Sequence, residues 1–277
     1  MSKTITITHN SGFFSCCSVR LHDIVNFINE NKCLPDCVDS SNSYLWYKLP
    51  DEGDITFEYF KNYENIANDD IVIDETDIDY EHTHQYRNYQ TLNYERIIPL
   101  VRKYFTPSKG IIQLANVIET EFKLDYENIC VLFYRGNDKI IETQLCGYEE
   151  YAIHANAILA KNPKIKFLIQ SDETEFIEFF TALYPHNSFF FKKLIRHIKK
   201  TRNTVDYVYQ QYNHIYSKLY LAITLIMSKC KYIICGSGNC SIWIMFFREN
   251  ANNIYQYMEG NWICPLPPPP DSLITVP

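Results

Sequence analysis

An α/β fold built around a parallel sheet is predicted for these 277 residues from three observations. From Asn128 onward, apolar runs of strand length alternate with stretches of helical spacing, the pattern of strand–helix units whose sheet is covered on both faces. Hydrophobic residues make up 46% and charged residues 21%, ordinary globular usage that excludes wholesale disorder and fibrous repeats. The first hundred residues have a different texture, so two domains fit the length.

The elements follow in order. Thr4–Thr8 alternates polar and apolar residues as a strand does, and a turn at Asn10-Ser11-Gly12 leads into a helix carrying Val19, Ile24, Val25, Phe27 and Ile28 at helical spacing. Between Asp51 and Glu81 stand twelve acids against one base, Lys61, which marks surface loops, with a short strand at Ile71–Ile73. Helices are expected at Tyr94–Tyr104 and Ser108–Phe122, with Pro107 breaking them at a domain junction. Beyond it come a buried strand at Ile129–Tyr134, a helix at Tyr148–Ala160, a strand at Ile165–Gln170 and a helix at Thr174–Tyr184. A short strand at Ser188–Phe191, a helix at Val205–Ser228, a strand at Tyr232–Cys235 and a helix from Cys240 to Phe247 complete the series. The expected division is 1–107, 108–260 and a Pro-rich tail over 261–277, polyproline-like around Pro265 and Pro267–Pro270.

The balance of 26 basic and 33 acidic residues gives a net charge of −7, which argues against coating of nucleic acid. No apolar run approaches the ~20 residues that span a bilayer, and the start has no secretory apolar stretch. The chain therefore reads as cytoplasmic, its ten cysteines as free thiols rather than a disulfide framework. Cys33 and Cys37 have no partner pair at structural-zinc spacing.

Chemistry concentrates after the strands of the second region. Tyr134-Arg135-Gly136-Asn137-Asp138-Lys139 follows the first, Ser171-Asp172-Glu173 the second, and Gly236-Ser237-Gly238-Asn239-Cys240-Ser241 opens a helix after the third. Parallel strands bring all three to one sheet edge, where ligands bind. A guanidinium fork, a lysine and a Gly/Ser loop at a helix N-terminus are the groups that hold a diphosphate.

These segments resemble the motifs of fucosyltransferase-like glycosyltransferases. Cys130–Lys139 is similar to a strand ending in His-x-Arg-(Arg/Gly)-(Thr/Gly)-Asp, Phe167–Glu173 to an apolar strand ending in Thr/Ser-Asp-Asp, and Cys230–Asn239 to a third strand running into a Ser-rich loop. The order agrees over Asn128–Phe247. His9-Asn10-Ser11-Gly12-Phe13-Phe14 stands where the family has a Gly-rich first loop. The resemblance implies a GT-B architecture, two Rossmann-like domains with parallel sheets facing across a cleft, and an inverting transfer without metal or other cofactor. The nucleotide sugar, GDP-linked by preference, is then a co-substrate, and a glycan or other hydroxyl compound the acceptor.

By the same resemblance Arg135 contacts the donor diphosphate, Asp138 and Lys139 shape its loop, Asp172 and Glu173 approach the nucleoside, and Ser237, Gly238 and Asn239 cradle phosphate, with Gly12 and Phe13 opposite. Glu142 is the first candidate for general base and His9 the second. Two departures leave a UDP- or dTDP-linked donor open: Phe133 replaces the motif's His, and the position of a base-reading carboxylate falls near Thr224.

Other readings compete. Those departures suit a non-catalytic module on a transferase fold. Asp77-x-Asp79 resembles the metal-binding pair of GT-A transferases. Gly236-x-Gly238 begins a dinucleotide fingerprint whose third Gly is Ser241. The stretch Lys192, Lys193, Arg196, Lys199, Lys200 and Arg202 suits a solvated face, or contact with an acidic acceptor, the donor or an anionic membrane surface.

Overall fold

Six consecutive buried residues, Ile129–Tyr134, form the centre of the molecule. A computed structural model describes residues 3–265 of the chain. The order is β1 (Thr4–Thr6), α1 (Phe13–Asn31), β2 (Cys37–Asp39), α2 (Thr56–Tyr59), α3 (Tyr94–Phe105) and α4 (Lys109–Phe122). Then come β3 (Ile129–Tyr134), α5 (Tyr148–Lys161), β4 (Lys166–Ser171), α6 (Thr174–Leu183) and β5 (Ser188–Phe189). Last are α7 (Val205–Val208), α8 (Asn213–Lys229), β6 (Tyr232–Gly236), α9 (Asn239–Arg248), β7 (Ile254–Met258) and β8 (Asn261–Ile263).

The α/β class is as expected. The main sheet has the order β5-β4-β3-β6-β7-β8, parallel except for the last pair. The chain moves outward from β3 through β4 to β5, then returns to lay β6 on the other side of β3. That reversal opens a crevice beyond the carboxyl ends of β3 and β6, the usual ligand position in such sheets. The sheet of the first region is smaller: β1 and β2 pair in parallel, Ile5 opposite Val38.

Several local expectations change. Ile71–Ile73 forms no strand; its alternate residues are half-buried, but no neighbouring strand completes a ladder. The helix expected over Val205–Ser228 breaks between α7 and α8, where the Asn213 side chain accepts from Arg196 and donates to the Asp206 carbonyl. β7 and β8 went unforeseen. Their two-residue turn, Glu259-Gly260, has positive φ at both residues (49° and 82°), the twist a tight hairpin requires, but Glu rarely signals it. Asn261–Ile263 thus belongs to the sheet, while the expected Pro-rich tail lies outside the described residues from 266 onward. Pro107 does separate α3 from α4, and Ser108 caps the second.

One hydrophobic core runs through both regions. Trp243 on α9 is fully buried, donates its indole N–H to Ser18 on α1 at 2.9 Å, and packs on Phe14 and on Phe105 of α3. Arg20 of α1 is buried as well, bonded to Ser40 and to the Tyr104 carbonyl. All ten cysteines are free thiols. No helix among the described residues is long and apolar enough to cross a membrane.

Trp243→Ala opens a cavity where three helices meet and is expected to cost about 3–5 kcal/mol of unfolding free energy. Urea titration followed by tryptophan fluorescence and circular dichroism checks this, and a change below about 1 kcal/mol contradicts so central a role.

Candidate functional site

At the reversal between β3 and β6, a cavity of about 190 Å³ opens to solvent. Its floor is the loop after β3, with Arg135, Asp138, Lys139 and Glu142; one wall is the loop after β6, with Ser237, Gly238 and Asn239. The opposite wall is the start of α1, with Gly12 and Phe13. Two helices of 19 and 10 residues therefore aim their N-termini into one space. The first amides of each have no intrahelical acceptor, and both carry a partial positive charge. Asn239 adds a buried side-chain oxygen without a hydrogen-bond partner.

The β3 loop is held from below by the residues that end β4. Gly136 donates its N–H to Asp172 at 2.9 Å, Asn137 donates its backbone N–H to Glu173 at 3.2 Å, and the Asn137 amide donates to the Asp172 carbonyl at 2.7 Å. Asp172 also forms an ion pair with Arg135 Nε at 3.0 Å, and Asp138 takes Nη2 of the same guanidinium at 3.1 Å. Burial opposes the charge of Arg135, but Asp172, Tyr220, Asp138 and Asp206 together outweigh it and hold its pKa above the ordinary value. Burial raises the pKa of Asp138, with Arg135 pulling the other way. Gly136 is required here: a Cβ would stand 2.1 Å from Glu173 Oε2 and 2.8 Å from the Tyr134 ring.

The expected site residues thus divide. Arg135, Asp138, Lys139, Glu142, Ser237, Gly238, Asn239, Gly12 and Phe13 line one cavity. Asp172 and Glu173 are buried and grip the Arg135 loop; Asp172 borders a smaller adjoining cavity, with Phe133, Gln170 and Tyr220. Ser237 and Gly238 contribute shape more than donors. The Ser237 hydroxyl and N–H both donate to the Tyr257 carbonyl, and the Gly238 N–H donates to the Tyr89 hydroxyl. Glu142 forms an ion pair with Lys139 and accepts from the Tyr86 hydroxyl at 3.2 Å. His9 stands behind the wall, its Nε2 sharing a hydrogen bond of 2.9 Å with Ser15, which lines the cavity. Burial and nearby His82 push its pKa down, so its ring is neutral near pH 7.

Sequence reasoning missed a second pair. Arg196 and Asp206 form a largely buried ion pair at 2.7 Å, and Tyr47 donates its hydroxyl to the other Asp206 oxygen at 3.1 Å. Both ion-pair partners line the cavity. The basic stretch that includes Arg196 is no helix: Ile198 bridges Glu173 in parallel, and the Thr201 N–H donates to the Asn137 side chain. Apolar Ile195 and Ile198 around Arg196 were the available signal. Asp77 is tied to Lys32 and Asp79 to Arg87, each at 2.8 Å, and neither lines the cavity. Among the described residues no group of three or more His, Cys, Asp or Glu side chains is placed to hold a metal ion.

A parallel α/β sheet with its crevice at the reversal, faced by a smaller N-terminal layer, is the GT-B type of fold. The solved structures bear this out. Fucosyltransferase NodZ from Bradyrhizobium is 11% identical over 95% of this chain and 98% of its own, with a TM-score of 0.53. The NodZ alpha-1,6-fucosyltransferase soaked with GDP-fucose is 11% identical over 96% and 100% (TM-score 0.52), and that co-crystallized with GDP is 12% identical over 96% and 99% (TM-score 0.51). The likeness is one of fold across nearly the whole chain. No protein-family model and no curated sequence matches the chain significantly.

Gly136→Ala is expected to cost about 1–3 kcal/mol, because Glu173 cannot retreat without releasing Asn137. Gly12→Ala, where a Cβ meets nothing within 4 Å, should change stability little. Thermal and urea unfolding of the two variants side by side check the contrast.

Proposed function

We propose that the protein is a glycosyltransferase that takes its sugar from a nucleotide sugar, GDP-linked by preference, and passes it to a hydroxyl acceptor. One observation carries the reading: Arg135, Lys139 and two helix N-termini face a single cavity at the sheet reversal. That set suits two linked phosphoryl groups. The shared fold with NodZ, solved with GDP and GDP-fucose, supports a guanine nucleotide as first choice.

In the proposed reaction the acceptor oxygen attacks the anomeric carbon, the bond from that carbon to the diphosphate oxygen breaks, and its electron pair leaves with the nucleoside diphosphate. A single displacement inverts the centre. Charge growing on the departing diphosphate meets Arg135, Lys139 and the helix amides, already in place before reaction. The hydroxyl proton goes to a base, for which Glu142 is the candidate. A bound diphosphate competes with Glu142 for Lys139, and a carboxylate relieved of that partner is a better base. No divalent ion enters this scheme.

A second reading, a ligand-binding module without turnover, draws on two observations. Phe133 borders the adjoining cavity where the motif's His is expected, and Thr224 spends its hydroxyl on the Tyr220 carbonyl.

Thermal shift with GDP-, UDP- and dTDP-sugars is expected to show the largest stabilisation with the GDP series. Arg135→Ala should lower kcat/KM by about 100- to 1000-fold, and Arg135→Lys should not restore it, because an ammonium lacks the planar fork. Turnover should persist in excess EDTA. Unchanged donor affinity and turnover in Arg135→Ala would falsify the assignment, and nucleotide binding without turnover selects the second reading.

A further inference from the structure

The exposed apolar side chains of this protein are unevenly spread. Four of them, Tyr207, Val208, Tyr212 and Ile215, stand where α7 passes into α8, between 47% and 70% exposed. Leu45 and Trp46 are exposed too and border one groove with Tyr207, so they extend the same surface. The core explains why these side chains turn outward. Asn213 and Ser217 take the inner side of this segment, both buried, Asn213 bonded to Arg196 and Ser217 to the Tyr59 hydroxyl. Single exposed apolar residues need no explanation, but six on one surface mark a place of contact.

Charge decides what is contacted. From Lys192 to Lys218 seven Lys and Arg stand against one acid, Asp206, in a chain whose net charge is −7. Arg196 spends its guanidinium on Asp206 and Asn213, which pins the basic stretch to the foot of the apolar one. Lys192, Lys193, Lys199 and Arg202 are exposed and form no ion pair among the described residues. Cations that the protein does not neutralise therefore adjoin apolar side chains that it does not cover.

An anionic bilayer answers both halves of this surface. Its headgroups take Lys and Arg, and the boundary just beneath them takes indole, phenol and aliphatic groups. A second copy of the chain would instead bring like charges together. Single-stranded nucleic acid would stack on Tyr207 and Trp46 but leave Leu45, Val208 and Ile215 without a use. We propose that this face docks the protein on a membrane surface rich in anionic phospholipid. Trp46, Tyr207, Val208, Tyr212 and Ile215 enter the headgroup boundary, and Lys199 and Arg202 lie against the anionic headgroups. The contact does not depend on the reaction proposed for the cavity.

The test is co-sedimentation of the full chain with vesicles of phosphatidylcholine, alone or mixed with phosphatidylserine, at low and high salt. The parent chain should bind the mixed vesicles, bind phosphatidylcholine weakly, and lose most of its binding at high salt. Each cation against an anionic leaflet strengthens binding about fivefold, so Lys199→Gln with Arg202→Gln should weaken it about 25-fold. Val208→Ser with Ile215→Ser, which leaves the charge unchanged, should weaken it about fivefold. Two controls lie elsewhere on the surface: Ile153→Ser on α5, and Lys164→Gln with Lys166→Gln at the opposite end of β4 from the basic stretch. Both should bind as the parent does. Trp46 is the exposed member of the three tryptophans, so the mixed vesicles should shift its fluorescence to the blue, and Trp46→Phe should lose that shift. Circular dichroism melting confirms that each variant is folded. Absence of vesicle binding, equal binding to phosphatidylcholine alone, or an equal loss in the control variants overturns the proposal. Vesicle binding indifferent to Val208 and Ile215 overturns it as well, as does a single-stranded RNA oligomer that binds through Lys199 and Arg202 and displaces no protein from vesicles.

Discussion

The hold of Asp172 on the Arg135 loop is the constraint on which the site depends. One carboxylate receives the Gly136 amide and faces the Arg135 guanidinium, and the carbonyl of the same residue receives the Asn137 side chain. Because β3 and β4 are neighbours in parallel register, the end of one strand can brace the turn that leaves the other. Glu173, fully buried, grips the next amide and leaves no room for a side chain at Gly136. The guanidinium is therefore held in place by the protein itself, and the loop's direction is set by the sheet.

A similar economy governs the walls. Each helix N-terminus presents backbone amides to the cavity in a direction that the core fixes. The Gly/Ser character of the β6 loop serves packing. Ser237 is anchored on the Tyr257 carbonyl and receives the Gln256 amide, which ties the loop to β7.

How far all this could be read in advance differs by element. β3, β4 and β6 were legible because each is buried on both faces, so apolar runs and the polar residues ending them stand out without tertiary knowledge. Their convergence followed from parallel topology alone. The roles of Asp172 and Glu173 were not legible, because whether a carboxylate points up to a ligand or down to a backbone amide depends on a turn conformation that composition does not encode. Arg196 and Asp206 were hidden for another reason. Arg196 sits in a cationic run that reads as solvated, and its partner lies ten residues on, in the short α7 that periodicity merged with α8 into one long helix. β7 and β8 escaped because a Glu-Gly turn adopts a geometry more often announced by Asn-Gly.

The packing around Trp243 has a mechanical consequence. Its indole rivets α1 to α9, the two helices whose starts form opposite walls of the cavity at the sheet reversal. Drawing the two walls apart would break that bond and uncover the core around Trp243, so the interior itself resists widening of the cavity.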